Sequence, residues 1–362
     1  MKDAYSQALE LRELLHKNPE PSGCEHRTKQ ILIDFLKSNS DLEIIDCGKW
    51  FYAAHREADA QTGIAFRADM DAIPGADGNM YHGCGHDGHS SVVAALAAWT
   101  SGQSFGKNIF FLFQHAEETG EGGGECVELF KKENISAIFG FHNCPGFEAG
   151  AVLMLHNTFA CASRGLTISF SGTQTHAAYP ENGRNPIFPM TGIFSHWAEI
   201  TDKSLYKGLT MATPCGFSAG AKAFGVAAGS GEIYLTLRAW YDDDLNALQD
   251  RFLTLAAELA DDAGINYAYS IQDVFPATIN NDDLYQICAD AAKEEGLTCL
   301  VPHEPFRWSE DFGHYGAHTR AFFVGIGGGE DAYGLHTPEY CWNNATTDSA
   351  LRFFKTLAKQ NV

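Results

Sequence analysis

The fold is decided by residues 63–98, which read GIAFRADMDAIPGADGNMYHGCGHDGHSSVVAALAA. The stretch opens with an apolar run over 63–67 that predicts a buried strand, and it closes with an alanine-rich run over 90–98 that predicts a helix. Asp69 and Asp71 follow the strand directly, and a cluster of cysteine and histidine precedes the helix. Strands that alternate with helices in this way are typical of α/β proteins, so we expect a mostly parallel sheet between helices.

Three further apolar runs lead into polar side chains as the first one does: residues 108–113 into Glu117 and Glu118, residues 138–141 into His142, and residues 321–324 into a glycine-rich turn and His336. The carboxyl ends of parallel strands meet at one edge of a sheet, and open α/β sheets bind ligands at that edge. We therefore expect these polar side chains to converge on one site.

The N-terminal segment predicts two helices. Apolar residues recur over 4–15 at the spacing of one helix face. Ser22 and Glu25 stand three residues apart before the second apolar pattern, which is the spacing of a capping box. We expect both side chains to bond to backbone N–H groups at the start of the second helix.

The middle of the chain has a different pattern. Residues 163–274 contain alternating apolar runs typical of half-buried strands, and a helical pattern over 245–259. This indicates a smaller α+β domain inserted into the larger one, as a lid or dimerisation domain. The catalytic domain is then split into residues 1–162 and 275–362.

Composition excludes several function classes. The 362 residues carry 25 basic and 46 acidic side chains, a formal net charge of −21, which excludes general nucleic-acid binding and argues against anionic membrane surfaces. No apolar run approaches the roughly 20 residues that span a bilayer, and the charged N-terminus does not resemble a signal peptide. The ten cysteines follow no disulfide framework, so we expect reduced thiols in a cytoplasmic protein.

The cysteine and histidine cluster has the chemistry of a metal site. Cys84 and His86 flank Gly85, which frees the backbone to turn both side chains toward one ion. Thiolate and imidazole are good zinc ligands, although a histidine-rich surface loop or a buried thiol would give the same sequence pattern. In the pair Glu117 and Glu118, one carboxylate can bind metal while the other transfers protons. Alternatively, the two glutamates have no role in a site and are simply solvated side chains at the start of a helix.

The number of candidate ligands indicates two ions. Cysteine, glutamate and three histidines at one sheet edge exceed the three protein ligands that a catalytic zinc usually takes. Five ligands suit two ions about 3.5 Å apart, which could bind a bridging hydroxide and polarise a carbonyl oxygen together. Either Asp69 or Asp71 could orient a metal-bound histidine.

The sequence resembles the aminoacylase/carboxypeptidase-type dinuclear metallohydrolases, and in particular their N-acyl-amino-acid amidohydrolase branch. That branch includes hippurate hydrolases, N-acetyldiaminopimelate deacetylases and plant auxin-conjugate hydrolases. The resemblance covers nearly the whole chain and rests on motifs in the expected order: LRELLHKNPE (11–20), RADMDAIP (67–74), CGHDGH (84–89), FQHAEE (113–118), FHNCPG (141–146), THAAYP (175–180), SEDF (309–312) and LHTP (335–338).

The resemblance implies a role for each matching residue. Glu117 matches the general base and Asp71 a carboxylate near the metals. His176 matches a histidine of the inserted domain that stabilises the oxyanion, in some members across a dimer interface. Arg238 and Asn185 match substrate-binding positions. The metal ligands implied are Cys84, His86, Glu118, His142 and His336.

The resemblance also implies an activity. We expect hydrolysis of the amide bond in N-acyl amino acids, N-acetyl or aromatic acyl, by a metal-bridged hydroxide. Two divalent ions would serve, zinc or else manganese, cobalt or nickel, in a homodimer formed through the inserted domain. The alternatives are a dipeptidase or aminopeptidase of the same family and a metal-binding protein that has lost catalysis. Two departures could change substrate choice: the segment 74–82 is short, and His115 stands where the family usually has proline.

Overall fold

A computed structural model describes residues 3–362, which fall into two units. The first unit ends at Phe159 and resumes over Thr278–Pro305 and Glu310–Val362. The second comprises Ala160–Ala277 together with Phe306–Ser309. The sequence prediction placed the boundaries at 162 and 275 and left the short segment 306–309 in the catalytic domain. That segment joins the second unit because its backbone accepts hydrogen bonds from Cys161 N.

The structure contains many short elements. The strands are β1 (Glu43–Asp46), β2 (Phe51–His55), β3 (Gly63–Asp69), β4 (Ile73–Pro74), β5 (Met80–Tyr81), β6 (Asn108–Gln114), β7 (Ile135–Pro145), β8 (Val152–Leu153), β9 (Asn157–Ala160), β10 (Ala162–Ser171), β11 (Thr175–His176), β12 (Thr210–Ala219), β13 (Val226–Ala227), β14 (Ser230–Ala239), β15 (Asn266–Phe275), β16 (Thr278–Asn280), β17 (Cys299–Leu300) and β18 (Arg320–Gly329). The α-helices are α1 (Ala4–His16), α2 (His26–Asn39), α3 (His86–Thr100), α4 (Gly122–Cys126), α5 (Leu129–Lys132), α6 (Ile187–Ser195), α7 (Trp197–Ile200), α8 (Asp242–Asp262), α9 (Asp282–Glu294) and α10 (Asn344–Lys359). Shorter 3₁₀ turns cover Pro180–Asn182, Lys203–Leu205 and Asp311–Ala317.

The first unit is built on an eight-stranded sheet in the order β1-β2-β6-β3-β7-β18-β8-β17. The four central strands, β6, β3, β7 and β18, are all parallel to their neighbours within that group. Antiparallel pairs occur only toward the two edges of this sheet as described, at β1–β2, β2–β6 and β18–β8. The prediction of an α/β fold with a mostly parallel sheet is therefore confirmed.

Helix α3 is the most buried helix of the core that forms around this sheet. Its alanine-rich stretch packs against α1, α2 and α10 as well as against β3. Small side chains let neighbouring backbones approach closely, and a helix that is apolar on all sides belongs inside a protein. Because α3 is held on several sides, the residues at its N-terminus are fixed in place.

The carboxyl ends of β7 and β18 differ most from the prediction, and β3 also continues through Asp69. Strand β7 continues to Pro145, so His142 lies inside the strand rather than after it. The glycines at 325–329, predicted as a turn, continue β18 and pair with β7. Glycine is required there because a Cβ on Gly327 would lie 1.9 Å from the Glu148 carbonyl oxygen. The glycines thus extend the sheet where no side chain would fit.

The second unit has an antiparallel sheet in the order β12-β14-β10-β15 with its own apolar core. Side chains from β10 and β14 pack against Leu248 and Phe252 of α8. This is the α+β pattern expected from the sequence, although strand β12 was not predicted. Its residues lack alternating burial, and its register shifts between Pro214 and Gly216.

Within residues 3–362, no helix has both the length and the apolar character needed to cross a membrane.

Candidate metal centre

Seven of the ten predicted site residues lie in the first unit, and the structure brings them together. Their positions follow from the sheet, since most of them stand in or just after its parallel strands. Asp71 comes from the loop after β3, Cys84 from the loop before α3, His86 from the first residue of α3, Glu117 and Glu118 from the loop after β6, His142 from β7, and His336 from the loop after β18.

The Cys84 thiol lies at the centre of this group. Its Sγ is 3.3 Å from His142 Nε2 and 3.3 Å from His336 Nε2. With His86 and His142 it forms one cluster of possible ligand atoms, and with Glu118 and His336 it forms another, all atoms of each cluster lying within 4.8 Å of one another. One sulfur therefore belongs to two adjacent clusters, which is the arrangement of a ligand shared between two ions.

His86 is oriented by Asp71. The ring donates from Nδ1 to Asp71 Oδ1 at 3.0 Å, so Nε2 faces Glu118 Oε1 at 3.7 Å and Glu117 Oε2 at 3.8 Å. Both His86 Nε2 and Glu118 Oε1 are buried without a hydrogen-bond partner. A buried nitrogen lone pair and a buried carboxylate oxygen that face each other are stabilised by a cation between them. The donor atoms thus fit a divalent metal.

Three residues of the candidate site have a backbone conformation in the left-handed region. Gly85 has φ +94°, and a Cβ there would lie 2.6 Å from Asn143 Oδ1. Ala116 and His336, which carry a Cβ, have φ +49° and +62°. Non-glycine residues rarely adopt this conformation, and such strain concentrates at functional sites. The positive φ of Gly85 shows that the backbone turns between Cys84 and His86, the two candidate ligands.

Glu117 is held in a strongly perturbed environment. Burial raises the pKa of its carboxyl well above the ordinary value, and the nearby Glu310, Asp311 and Glu118 carboxylates raise it further. Its Oε1 accepts a hydrogen bond from Asp311 N at 3.4 Å. A buried carboxyl group with a raised pKa beside candidate metal ligands can accept a proton from water and release it again.

The pKa shifts of two candidate ligands reflect an excess of negative charge around them. Burial, together with Glu118 and Glu117, raises the pKa of the Cys84 thiol. Burial alone would lower the pKa of His86, but the Asp69 and Asp71 carboxylates raise it well above its usual range. A cation bound among these groups would reverse both trends, because it favours the thiolate and the neutral imidazole.

A buried ion-pair network contacts the site, and the sequence analysis gave no role to three of its members: Arg67, Glu310 and Asp311. Arg67 bonds to Asp69 Oδ2 at 2.6 Å, to Asp311 Oδ1 at 2.8 Å and to Glu310 Oε2 at 3.4 Å. Glu310 Oε1 also lies 3.7 Å from His142 Nε2. The available signal was Arg67 itself, because an arginine inside a strand predicted to be buried needs carboxylate partners.

Asp69 and Asp71 have separate tasks that the sequence alone left open. Asp71 orients His86, as described above. Asp69 accepts from His89 Nδ1 at 2.7 Å, and the His89 ring lies 2.7 Å from Asn143 Oδ1 through its other nitrogen. The carboxylate expected to orient a ligand is therefore Asp71.

His176 lies in the second unit, where it is exposed. It stands on β11, opposite Val226 of β13. Its Nδ1 accepts a hydrogen bond from Ala178 N at 3.0 Å, which leaves Nε2 available for another partner. The role that the resemblance gives to this imidazole remains a prediction.

Arg238 and Asn185 also lie in the second unit, and both already have partners there. The Arg238 guanidinium donates to Arg307 O at 3.0 Å and to Ser309 Oγ at 2.9 Å. Asn185 Oδ1 accepts from Ile187 N at 3.0 Å, at the start of α6, and the residue lines a cavity of about 750 Å³. Their substrate-binding roles likewise remain predictions.

Comparison with known proteins bears on the reaction class. The profile of Peptidase family M20/M25/M40 matches residues 65–360. The chain is 25% identical to a hippurate hydrolase of Campylobacter jejuni, covering 98% of this chain and 97% of the relative. It is 27% identical to an uncharacterised hydrolase of Staphylococcus aureus, covering 96% of each chain.

Solved structures share the fold. A dinuclear metal-binding peptidase of the M20 family from Bacillus subtilis aligns with a TM-score of 0.84 at 22% identity, covering 98% of each chain. An aminobenzoyl-glutamate utilization protein from Klebsiella pneumoniae aligns with a TM-score of 0.75 at 17% identity, covering 98% of this chain and 96% of the other. The fold described above is therefore shared with solved structures.

Proposed function

Because the chain belongs to peptidase family M20/M25/M40 and is a metal-dependent hydrolase of amide bonds, we propose that it cleaves the amide of N-acyl amino acids. The observation that carries this proposal is the buried Glu117 carboxyl beside two metal clusters that share Cys84. The hippurate hydrolase relative supports the substrate class, since hippurate is an N-acyl amino acid. The products would be a free amino acid and a carboxylic acid.

Two divalent ions would occupy the two clusters. When bound, they polarise the amide carbonyl and lower the pKa of water. His86 and His142 would hold one ion and Glu118 and His336 the other, with the Cys84 thiolate common to both. The thiolate favours zinc on softness, with manganese, cobalt and nickel as alternatives.

Glu117 would transfer the protons. Its raised pKa lets it take a proton from the attacking water and hand it to the leaving nitrogen, so that the base of one step becomes the acid of the next. The Asp311 backbone N–H fixes one oxygen of this carboxylate and leaves the other facing His86. Asp71 keeps the His86 ring in place while the proton moves.

The second unit would supply the remaining contacts. We propose that His176, through its Nε2, stabilises the oxyanion that forms on the attacked carbonyl. Arg238 and Asn185 would bind the substrate carboxylate. The Arg238 guanidinium would donate to the carboxylate in addition to its bonds to Arg307 O and Ser309 Oγ. These roles rest on the motif resemblance and on the donor atoms that the three side chains present.

We also propose a homodimer that forms through the second unit. Strand β15 lies at the edge of its sheet, and nine of its ten residues are exposed. Tyr267, Tyr269 and Ile271 present apolar surface on this strand. An exposed, apolar edge strand is a template for pairing with another chain. A cytoplasmic location is consistent with this function, since Cys84 must stay reduced to serve as a ligand.

A metal-reconstituted substrate screen tests the proposal. Chelated protein is reloaded with zinc, manganese, cobalt or nickel and given the N-acetyl and N-benzoyl forms of several amino acids, with unblocked dipeptides of the same amino acids as the matched comparison. We expect amine release from the N-acyl substrates that chelation abolishes and metal restores. Faster cleavage of the dipeptides would favour a peptidase, and no turnover on any substrate would favour a metal-binding protein without catalysis.

A further inference from the structure

The segment before α2 does not do what its sequence predicts. Glu25 is the residue at the helix N-terminus, yet its side chain makes no capping bond, and Ser22 does not cap the helix either. The first backbone N–H groups of α2 are instead satisfied by Glu20, whose carboxylate accepts from Arg27 N at 3.1 Å and Thr28 N at 2.8 Å. The capping-box prediction is therefore wrong, because both of its side chains are engaged elsewhere.

Glu25 is engaged by the loop that carries Glu117 and Glu118. Its side chain is buried, with the residue only 3% exposed, and its Oε1 accepts from Ala116 N at 2.7 Å and from Gly23 N at 2.8 Å. Burying a carboxylate is unfavourable unless hydrogen bonds compensate, so these two bonds account for its position. The bond from Ala116 N joins two residues that are 91 positions apart in the sequence.

The bond to Ala116 acts on a strained residue. Ala116 has φ +49°, a conformation that an L-residue with a Cβ adopts only when its surroundings enforce it. Its N–H is held by Glu25 and its carbonyl accepts from Gly122 N at 3.1 Å. Glu117 follows directly, so the turn at Ala116 sets the direction in which the next two carboxylates project.

Ser22 is engaged by the carboxylate that orients His86. Its Oγ donates to Asp71 Oδ2 at 2.7 Å, and the same oxygen accepts from Glu118 N at 2.9 Å. The other oxygen, Oδ1, receives the His86 bond. Ser22 thus completes a chain of contacts from the N-terminal segment through Asp71 to two proposed ligands.

We propose that Ser22 and Glu25 are positioning residues for the loop after β6, which carries Glu117 and Glu118. Ser22 fixes Asp71, and Glu25 fixes the strained turn before Glu117 and Glu118. Neither side chain would touch metal or substrate. Their loss would weaken metal binding at the cluster that contains Glu118 and would misdirect Glu117, the latter effect resting on the proposed function.

Metal-binding calorimetry on the full chain tests this with a matched control. In Glu25→Ala the Ala116 N–H loses its acceptor, so we expect zinc affinity to fall about 10- to 100-fold for one of the two ions, the range typical of residues that support a metal ligand. Glu25→Gln keeps an oxygen acceptor in place and should recover most of that affinity. Glu20→Ala removes a half-buried carboxylate of the same segment whose side-chain hydrogen bonds go to α2, so it should lower the melting temperature and leave zinc affinity unchanged.

Either of two results with the Glu25 variants would overturn the proposal. One is a Glu25→Ala chain with lowered melting temperature and wild-type zinc affinity, which would make the residue merely structural. The other is zinc binding by Glu25→Gln as weak as that of Glu25→Ala. Should Glu25→Ala not fold, Ser22→Ala removes a single hydroxyl and is expected to weaken zinc binding in the same way, and unchanged zinc affinity in that variant would count against the proposal. A wild-type chain that binds zinc but hydrolyses no amide would defeat the proposed function and leave this comparison valid.

Discussion

Glu117 and Glu118 are adjacent acidic residues with different surroundings. The Glu117 carboxyl is buried among other carboxylates and bonded by a backbone N–H, whereas Glu118 Oε1 has no hydrogen-bond partner and faces two histidine nitrogens. We predict that Glu117→Gln retains both ions and loses about 10²-fold or more in kcat, because an amide cannot take a proton. Glu118→Gln should instead lose metal, measured as stoichiometry after dialysis.

Glu121 provides the control for this pair. It is an exposed acidic residue on the same loop, and Glu121→Gln removes one charge without touching either cluster, so both kcat and metal content should match the wild type. If Glu118→Gln kept its metal and Glu117→Gln lost it, the roles of the two carboxylates would be reversed.

The individual site residues were predictable from sequence to different degrees. Cys84 and His86 are two residues apart, so their shared direction follows from the local backbone. The partners of Arg67 could not be assigned, because Glu310 and Asp311 lie 243 and 244 residues away along the chain. The prediction for Ser22 was wrong for the same reason. Its spacing from Glu25 fits a helix cap, but its hydroxyl donates to Asp71, which is distant in the sequence.

At the scale of elements, the strands with continuous apolar runs were predicted well. β3 and β6 are buried along almost their whole length, and their apolar runs predict them to within two residues: β3 continues to Asp69 and β6 to Gln114. The ends of β7 and β18 were not predictable, because histidine and glycine are typical of loops. Only the pairing between these two strands, which joins Gly325 to His142, extends them into the site.

We expect His115, in the loop after β6, to make the free energy of unfolding depend on pH. Burial lowers the pKa of His115, although Glu125, 3.1 Å away, acts in the opposite sense. The neutral ring is favoured in the folded chain, so the stability it contributes is present above the unfolded pKa of about 6.5 and is lost as pH falls below it. The loss amounts to at most about 1.4 kcal/mol per pH unit for one group.

His115→Gln isolates this contribution. We predict that the unfolding free energy of the wild type, measured in urea with chelator present, falls more between pH 7.5 and pH 5.5 than that of the variant. Comparing the two chains under identical conditions cancels the other titrating groups. An equal or steeper fall in the variant would show that His115 is not responsible.

At the scale of the whole molecule, metal binding should affect the two units unequally. Every metal-binding cluster among residues 3–362 lies in the first unit, and the second has its own core. Ligands stabilise only the state that binds them, by about 2.7 kcal/mol at a concentration 100 times Kd. We predict that chelation speeds amide hydrogen exchange in peptides of α3 and β7 and leaves α8 unchanged. The Glu118→Gln chain should respond much less, and faster exchange in α8 would contradict the prediction.

The oligomeric proposal also belongs to this scale. If the partner subunit delivers His176, mixed dimers of His176→Ala and Glu117→Gln chains should regain part of the activity, since one of the two sites then has both groups intact. His176→Ala alone should keep its metal and lower kcat more than it raises KM. Mixed dimers that form but remain inactive would leave delivery within one chain.

The two histidines that flank the Cys84 sulfur have a consequence for synthesis. His336 lies 252 residues after Cys84, and the second unit is translated between them. Ribosomes add about 5–20 residues per second, so roughly 10–50 s separate the two ligands as the chain emerges. During that interval the nascent sheet lacks β18, and Cys84 has only part of the proposed ligand set. On that ligand set, metal binding would be completed only after translation has passed His336.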